Sequence, residues 1–404
     1  MSTPPQSDAV SFILSLARAL HGYGYAAHRL EEVLGHISWR LGVVAQFFST
    51  PTSIMIGFGP QSEQHTYLMR VEPGDQNLGK LARLDEIIVR VMHGELSATE
   101  GVRRVAEVVA APPLYGPTVT TLAFGLASAA SSRFFGGGWR EAAVGAIIGL
   151  VIGMLALATG RLPGLGRVFE PVGAFVAAVI AALAGTVMGP FSAYTATLAG
   201  IIVLIPGLTF TVAMEELSTR NLMSGTARLS GAFITFLGIT FGVALGTGLV
   251  GRILGPPAPG APTDLPGWTL WLALILAPLG FTVLLKALPR DAFWIVLSGV
   301  IAFSGVRLGS DLLGVELGAF VAAFIVGLTS NIFARVFDRP ASIMLTPGIL
   351  LLVPGSVGYR SFSSLLEREV VVGIETAFTM VITAFALVAG LLISNLVTPE
   401  RKIG

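Results

Sequence analysis

Leu204-Ile-Pro-Gly207 and, 148 residues later, Leu352-Val-Pro-Gly355 decide how this chain is read. Each tetrapeptide lies inside a long apolar run, and each carries a proline that lacks an N–H and frees an earlier carbonyl. A second match runs beside the first. Gly-Ala-Phe-Val-Ala-Ala stands at 173–178 and again at 318–323, an offset of 145. Gly225 and Gly373 keep the offset of 148. Matches at nearly one spacing, each in the corresponding apolar run, indicate an internal repeat.

Composition sets the solvent. Of 404 residues, 53% are hydrophobic and 12% charged, where a soluble domain carries about 25% charged residues. This excludes disorder, a nucleic-acid-binding surface and an ordinary cytosolic enzyme. A net charge of +1 supplies no field to recruit a charged partner. Cysteine is absent, which removes disulfides, thiolate catalysis and cysteine-ligated metal. The 49 glycines and 23 prolines suit packed and interrupted transmembrane helices.

The charge is unevenly spread. Residues 1–116 hold 20 charged positions, residues 117–399 only 26, and all five histidines lie in the first part. The seam is Ala111-Pro-Pro-Leu-Tyr-Gly-Pro117, where prolines stop one helix and start the next. The start is not a signal peptide: Ser2 to Asp8 is polar, and Arg18 interrupts the run that follows. Residues 1–116 are therefore expected to form a small soluble α+β domain on the cytosolic side. Its helices are predicted at 8–20, 27–41, 78–92 and 97–110. Its strands are predicted at 43–48 and 53–58, around Thr50-Pro51-Thr52, and at 66–71. Ser97 and Glu100 have capping-box spacing.

From Pro117 onward, apolar runs approach the ~20 residues that a bilayer requires. Ten are read: 117–135, 139–159, 170–188, 190–212, 224–250, 268–288, 291–308, 315–334, 342–358 and 370–397. They divide into five-helix halves, 117–252 and 268–399, joined by a Pro-rich spacer beginning at Pro256. Five is odd, so the second half starts on the opposite face and the halves are inverted. The expected fold is a polytopic α-helical membrane protein: ten helices as two inverted five-helix repeats, with a small N-terminal soluble domain. Inverted repeats with matched broken helices describe secondary transporters, whose substrate sits near the midplane at the break. Orientation follows from loop cations. With the N-terminus inside, Arg161, Arg167, Arg220, Arg228, Lys286, Arg290, Arg335, Arg339, Arg401 and Lys402 are cytoplasmic; Arg133, Arg140, Arg252, Arg307, Arg360 and Arg368 are outside.

The candidate substrate site is built on Pro206, Gly207, Pro354 and Gly355. A half-helix N-terminus offers N–H groups and a positive dipole end to a carboxylate. The hydroxyls of Thr209, Thr211, Ser356 and Ser361 add hydrogen bonds, and Arg228 and Arg360 add charge. The structural alternative is a plain proline kink. Glu375 lies some six residues into the last run, where an unpaired carboxylate costs several kcal/mol and marks function by default. By the repeat it corresponds to Ala227, so the symmetry is expected to bring it near Arg228, as a structural ion pair or a proton carrier. Glu215 and Glu216 are the next proton-coupling candidates, though Arg220 and a helix end favour a solvated loop role. Asn395 is read as an interhelical hydrogen-bonding residue.

Other chemistry is thin. His28, Glu32 and His36 stand at i, i+4, i+8, a spacing compatible with metal but better read as a polar helix face. No metal or other cofactor is expected. Gly136-Gly-Gly138 lacks the Lys-Ser/Thr of a phosphate loop, and no nucleophilic dyad or triad supports an intramembrane enzyme.

The chain resembles the threonine/serine exporter family. The resemblance rests on His21-Gly-Tyr-Gly-Tyr-Ala-Ala-His-Arg-Leu-Glu-Glu32, Thr50-Pro-Thr-Ser53, Pro206-Gly207 with Met214-Glu-Glu-Leu217 and Ser224-Gly-Thr-Ala-Arg-Leu229, and Pro354-Gly355. It implies a bacterial inner-membrane exporter of small polar metabolites, driven by the proton gradient. Two-chain relatives, linked to dicarboxylates such as succinate, leave a C4-dicarboxylate exporter as the alternative; a passive channel is another. The implied partners are the lipid bilayer, protons and a small amino acid or dicarboxylate, with no nucleic acid. The oligomeric state is open, a homo-oligomer included.

Overall fold

The computed structural model describes residues 8–72, 74–189, 191–255 and 260–399. The polar start at Ser2, Pro190, positions 256–259 of the spacer, and Arg401 and Lys402 lie outside them.

The N-terminal segment comprises α1 (Asp8–Gly22), α2 (Ala27–Arg40), β1 (Ala45–Thr50), β2 (Ser53–Phe58), β3 (His65–Arg70), α3 (Leu78–Met92) and α4 (Ala98–Ala110). The strands form an antiparallel meander in chain order. The apolar stripe of α1, Phe12, Ile13, Leu16 and Leu20, is buried in one core with Leu30, Leu34 and Ile37 of α2 and Ile54 and Ile56 of β2. β1 begins two residues later than its alternation suggests and runs through Thr50, so Pro51 and Thr52 alone form the hairpin loop. The Ser53 N–H donates to the Thr50 hydroxyl at 3.0 Å, a side-chain bond that lets the strand reach the turn. Half of the capping box forms. Ser97 accepts the Glu100 N–H at 3.2 Å, while the Glu100 carboxylate turns to Arg103 and Arg104.

Beyond the seam the chain is helical. In order come α5 (Pro117–Phe134), α6 (Trp139–Thr159), the single turn α7 (Pro163–Gly166), α8 (Phe169–Met188), α9 (Ala193–Gly200), α10 (Gly207–Ser218) and α11 (Leu222–Leu254). There follow α12 (Trp268–Leu284), α13 (Ala292–Leu313), α14 (Val315–Phe337), α15 (Ser342–Leu352), α16 (Gly355–Leu366) and α17 (Val370–Val397). By length and composition, 7 of these segments can cross a membrane, α15 and α16 counting as one. Three of the apolar runs fall short of that measure for visible reasons. α12 has 17 residues. The run around Pro206 is cut into α9, of 8 residues, and α10, of 12. α5 is diluted by Thr118, Thr120, Thr121, Ser128, Ser131, Ser132 and Arg133.

Small residues let the long helices touch. A Cβ on Gly242 of α11 would collide with the Pro171 carbonyl of α8, and one on Gly390 of α17 with the Phe320 carbonyl of α14. Asn331 of α14 donates to Asn395 of α17 at 2.8 Å and to the Thr398 carbonyl at 2.7 Å, the interhelical bond expected of Asn395.

The two breaks match in their backbone angles. Pro206 (φ −80°, ψ 39°) and Pro354 (φ −80°, ψ 34°) each precede a helix of 12 residues. Those helices end just before Arg220 (φ 65°) and Arg368 (φ 68°), left-handed conformations uncommon for arginine. Asn221 (ψ 64°) and Glu369 (ψ 66°) then open α11 and α17.

The N-terminal segment caps one end of the bundle. The N–H groups of Leu78 and Gly79, unpaired within α3, donate to the Leu285 and Lys286 carbonyls at 2.9 and 3.1 Å. Tyr115 donates to the Ala287 carbonyl at 2.7 Å. The opposite end is marked by Arg133 donating to Thr269 at 2.8 Å and by the Trp139–Trp268 ring pair. There the carboxylate of Glu141, 1% exposed, accepts from the N–H groups of Gly138 and Ser192, both at 2.8 Å. α9–α10 therefore runs toward the capped end. α15–α16 runs away from it, carrying Tyr359 to a stack on Tyr194.

Candidate functional site

The two Pro-Gly breaks meet. A Cβ built on Gly207 would lie 3.0 Å from Gly355 Cα, and one on Gly355 would lie 3.1 Å from Gly207 Cα. Only glycine at both positions lets the backbones approach this closely. The proline before each glycine stops the upstream helix, so α10 and α16 both start at the crossing with their positive dipole ends turned toward it. The N–H groups of Leu208, Thr209, Ser356 and Val357 have no backbone acceptor among the described residues. This is a place where an anionic group is stabilised without a cationic side chain.

A cavity of about 1290 Å³ surrounds the crossing. Of the expected site residues, Pro206, Gly207, Thr209, Arg228, Gly355 and Ser356 line it. A second cavity of about 470 Å³ lies between α2 and the bundle, and Thr211 and Glu215 line that one. The Thr211 hydroxyl donates to the Gly207 carbonyl at 3.1 Å, and the Ser361 hydroxyl to the Gly373 carbonyl at 2.7 Å, so both are held in place. Pro354 is buried and lines neither cavity, and Arg360 is exposed and lines neither.

Two expectations change. Arg228 does not meet Glu375: its Nε donates to both Glu216 oxygens at 3.0 Å, reaching back across the α10–α11 turn. Glu375 is exposed instead on the outer face of α17, beside Ile374 and Phe378. The spacing of the repeat gave its height along the helix but not its face. Glu215 and Glu216 are not solvated either. They are 8% and 0% exposed, because α2 lies over them. The Ala27 N–H donates to Glu216 at 3.0 Å, and His28 Nε2 stands 3.4 Å from Glu215. Arg29 lies 3.9 Å from the same Glu215 oxygen. Glu32 and His36, further along α2, line the smaller cavity.

Sequence reasoning passed over the rest of this buried cluster. Glu31 accepts the Ser49 N–H at 2.7 Å, and burial raises its carboxyl above the ordinary range despite that bond. Ser224 of α11 donates to the Ser49 carbonyl at 2.7 Å. His21, 3% exposed, bonds through Nε2 to the Thr50 carbonyl at 3.0 Å. The one available signal was the density of His and Glu within His21–Glu32.

Burial holds the His21 imidazole below its ordinary value of 6.5; the Thr50 bond opposes this and the Arg228 charge adds to it. A freed His21 binds a proton more readily than a docked one, so stability is unaffected above that value and is lost as pH falls below it. Limited proteolysis of the N-terminal segment should therefore accelerate between about pH 7 and about pH 5.5. His21→Gln should flatten that dependence; an unchanged profile would show that another group sets it.

This is a polytopic helical membrane protein whose two interrupted helices meet in a large, mostly apolar cavity with a few polar groups. A family model described as "Putative threonine/serine exporter" matches residues 11–250, and one described as "Threonine/Serine exporter, ThrE" matches residues 270–397. The chain belongs to the threonine/serine exporter family. It is similar to the "Pheromone-regulated membrane protein 10" of Kluyveromyces lactis, 30% identical over 92% of this chain and 39% of the relative. It is also similar to the proteins of that name in Candida albicans (29%, over 87% and 33%) and Saccharomyces cerevisiae (28%, over 92% and 48%). The chain thus spans less than half the length of these relatives. No solved structure matches.

Proposed function

We propose that the chain is a secondary exporter of small polar metabolites, threonine and serine first, driven by the proton gradient through alternating access. The observation that carries this reading is the contact of Gly207 with Gly355 inside the large cavity. The recurring backbone angles and the opposite directions of the two broken helices support two inverted five-helix halves, residues 117–252 and 268–399, ten helices in all. Residues 1–116 are read as a soluble domain on the cytosolic side of the inner membrane. A carboxylate bound at the crossing meets two helix N-termini, and alternating access needs only that the surrounding halves rock about it.

Glu215 is the favoured coupling group, since it is buried, lines a cavity and faces a histidine. Glu375 is not placed in that step. Labelled threonine in proteoliposomes should show a counterflow overshoot, which a channel does not produce. Glu215→Gln should abolish gradient-driven accumulation while counterflow persists; unchanged accumulation would remove Glu215 from coupling.

A second reading is a C4-dicarboxylate exporter. Arg133 and Arg307 line the large cavity and have no carboxylate partner among the described residues. Competition of succinate against threonine in the same counterflow assay separates the two.

A further inference from the structure

The smaller cavity is not a branch of the larger one. Gly24, Gln76, Leu208 and Val212 line both, so they form the partition between them. On one side of that partition Gln76 donates to the Gly24 carbonyl at 2.9 Å. On the other, Leu208, Thr211, Val212 and Glu215 follow at helical spacing, so a single face of α10 runs from the crossing along the smaller cavity. Leu208 and Val212 are half-buried: they occupy the passage without being locked into a core.

The charges of the smaller cavity come in both signs. Arg29 and Glu32 of α2, Asp85 of α3 and Glu215 of α10 face it, with Arg339, which pairs with the buried Asp291 at 2.5 Å. Three carboxylates stand against two arginines, so the lining leans negative yet offers partners to both poles of a ligand. A net-neutral zwitterion suits such a wall, and a dianion does not. The volume, about 470 Å³, lies in the lower part of the ~300–1,000 Å³ range of small-molecule pockets.

We propose that the smaller cavity is a second solute site, a vestibule roofed by α2 that takes a small zwitterion and passes it to the crossing between Leu208 and Val212. The inference rests on the transport reading and gives the N-terminal segment a part in solute recognition.

The chain has no cysteine, so single cysteines report unambiguously. Thr346→Cys places a thiol in the smaller cavity and Ser356→Cys one in the larger, both in the full chain in proteoliposomes. Labelling by a small methanethiosulfonate is measured with and without L-threonine. Occupancy slows it by 1 + [L]/Kd, about tenfold at about ten times the Kd. Slowing at both positions is the expected result. Slowing at Ser356→Cys alone would overturn the vestibule and leave the transport reading standing. Slowing at Thr346→Cys alone would keep the vestibule and overturn the crossing as the solute site, and slowing at neither would overturn both. Succinate should not slow labelling at Thr346→Cys, and if it does so as well as threonine, the zwitterion assignment is overturned. Ser342→Cys, which lines the same cavity, replaces Thr346→Cys if that variant fails to fold.

Discussion

Arg228→Ala should destabilise the protein by about 3–5 kcal/mol, the cost of leaving a buried charge without its partner. The partner is Glu216, which is 0% exposed and, among the described residues, accepts from the Ala27 N–H besides Arg228. Thermal unfolding in detergent, followed by size-exclusion recovery, reads the loss. The double variant Arg228→Leu/Glu216→Leu should recover most of it, since an apolar pair of similar volume often replaces a buried ion pair at little cost. If Arg228→Ala melts with the native protein, Glu216 is hydrated and α2 does not seal it.

Gly207→Val should abolish most transport at a modest cost in folding. The first added carbon would stand 3.0 Å from Gly355 Cα and 3.1 Å from its N, and backbone atoms cannot step aside as a side chain does. Overpacking of this kind costs about 1–3 kcal/mol. If that strain falls on the state that alternation must pass through, counterflow drops by about tenfold to a hundredfold. Gly355→Val should behave alike, because its added carbon meets Gly207 Cα at 3.1 Å. Gly231→Val, on a helix surface with nothing within 4 Å, is the control that should leave counterflow near the native rate. Equal losses at Gly231 and Gly207 would mean that β-branching in a helix, rather than the crossing, is responsible.

The breaks were legible because a Pro-Gly inside an apolar run has few meanings, and a matched pair has fewer. The N-terminal elements were legible from period alone, with β1 displaced by two residues because the Thr50 hydroxyl supports the turn. What the sequence hid was which face a helix presents and what covers it. Glu375 sits at a height where a carboxylate is costly, yet only the packing of α17 decides that it points outward. Glu215 and Glu216 carry the marks of a solvated helix end, and only the docking of α2, 189 residues away in sequence from Glu216, buries them. Arg228 has a partner 12 residues back, which no offset between halves reveals. Local chemistry was written in the chain; pairings between distant segments were not.

The most direct test modifies the crossing itself. Ser356→Cys, in this naturally cysteine-free chain, is treated with a bulky thiol reagent and assayed for threonine counterflow. Full modification should abolish counterflow, and excess threonine present during the treatment should preserve it. Complete modification with counterflow unchanged would show that solute does not pass the meeting point of the two broken helices.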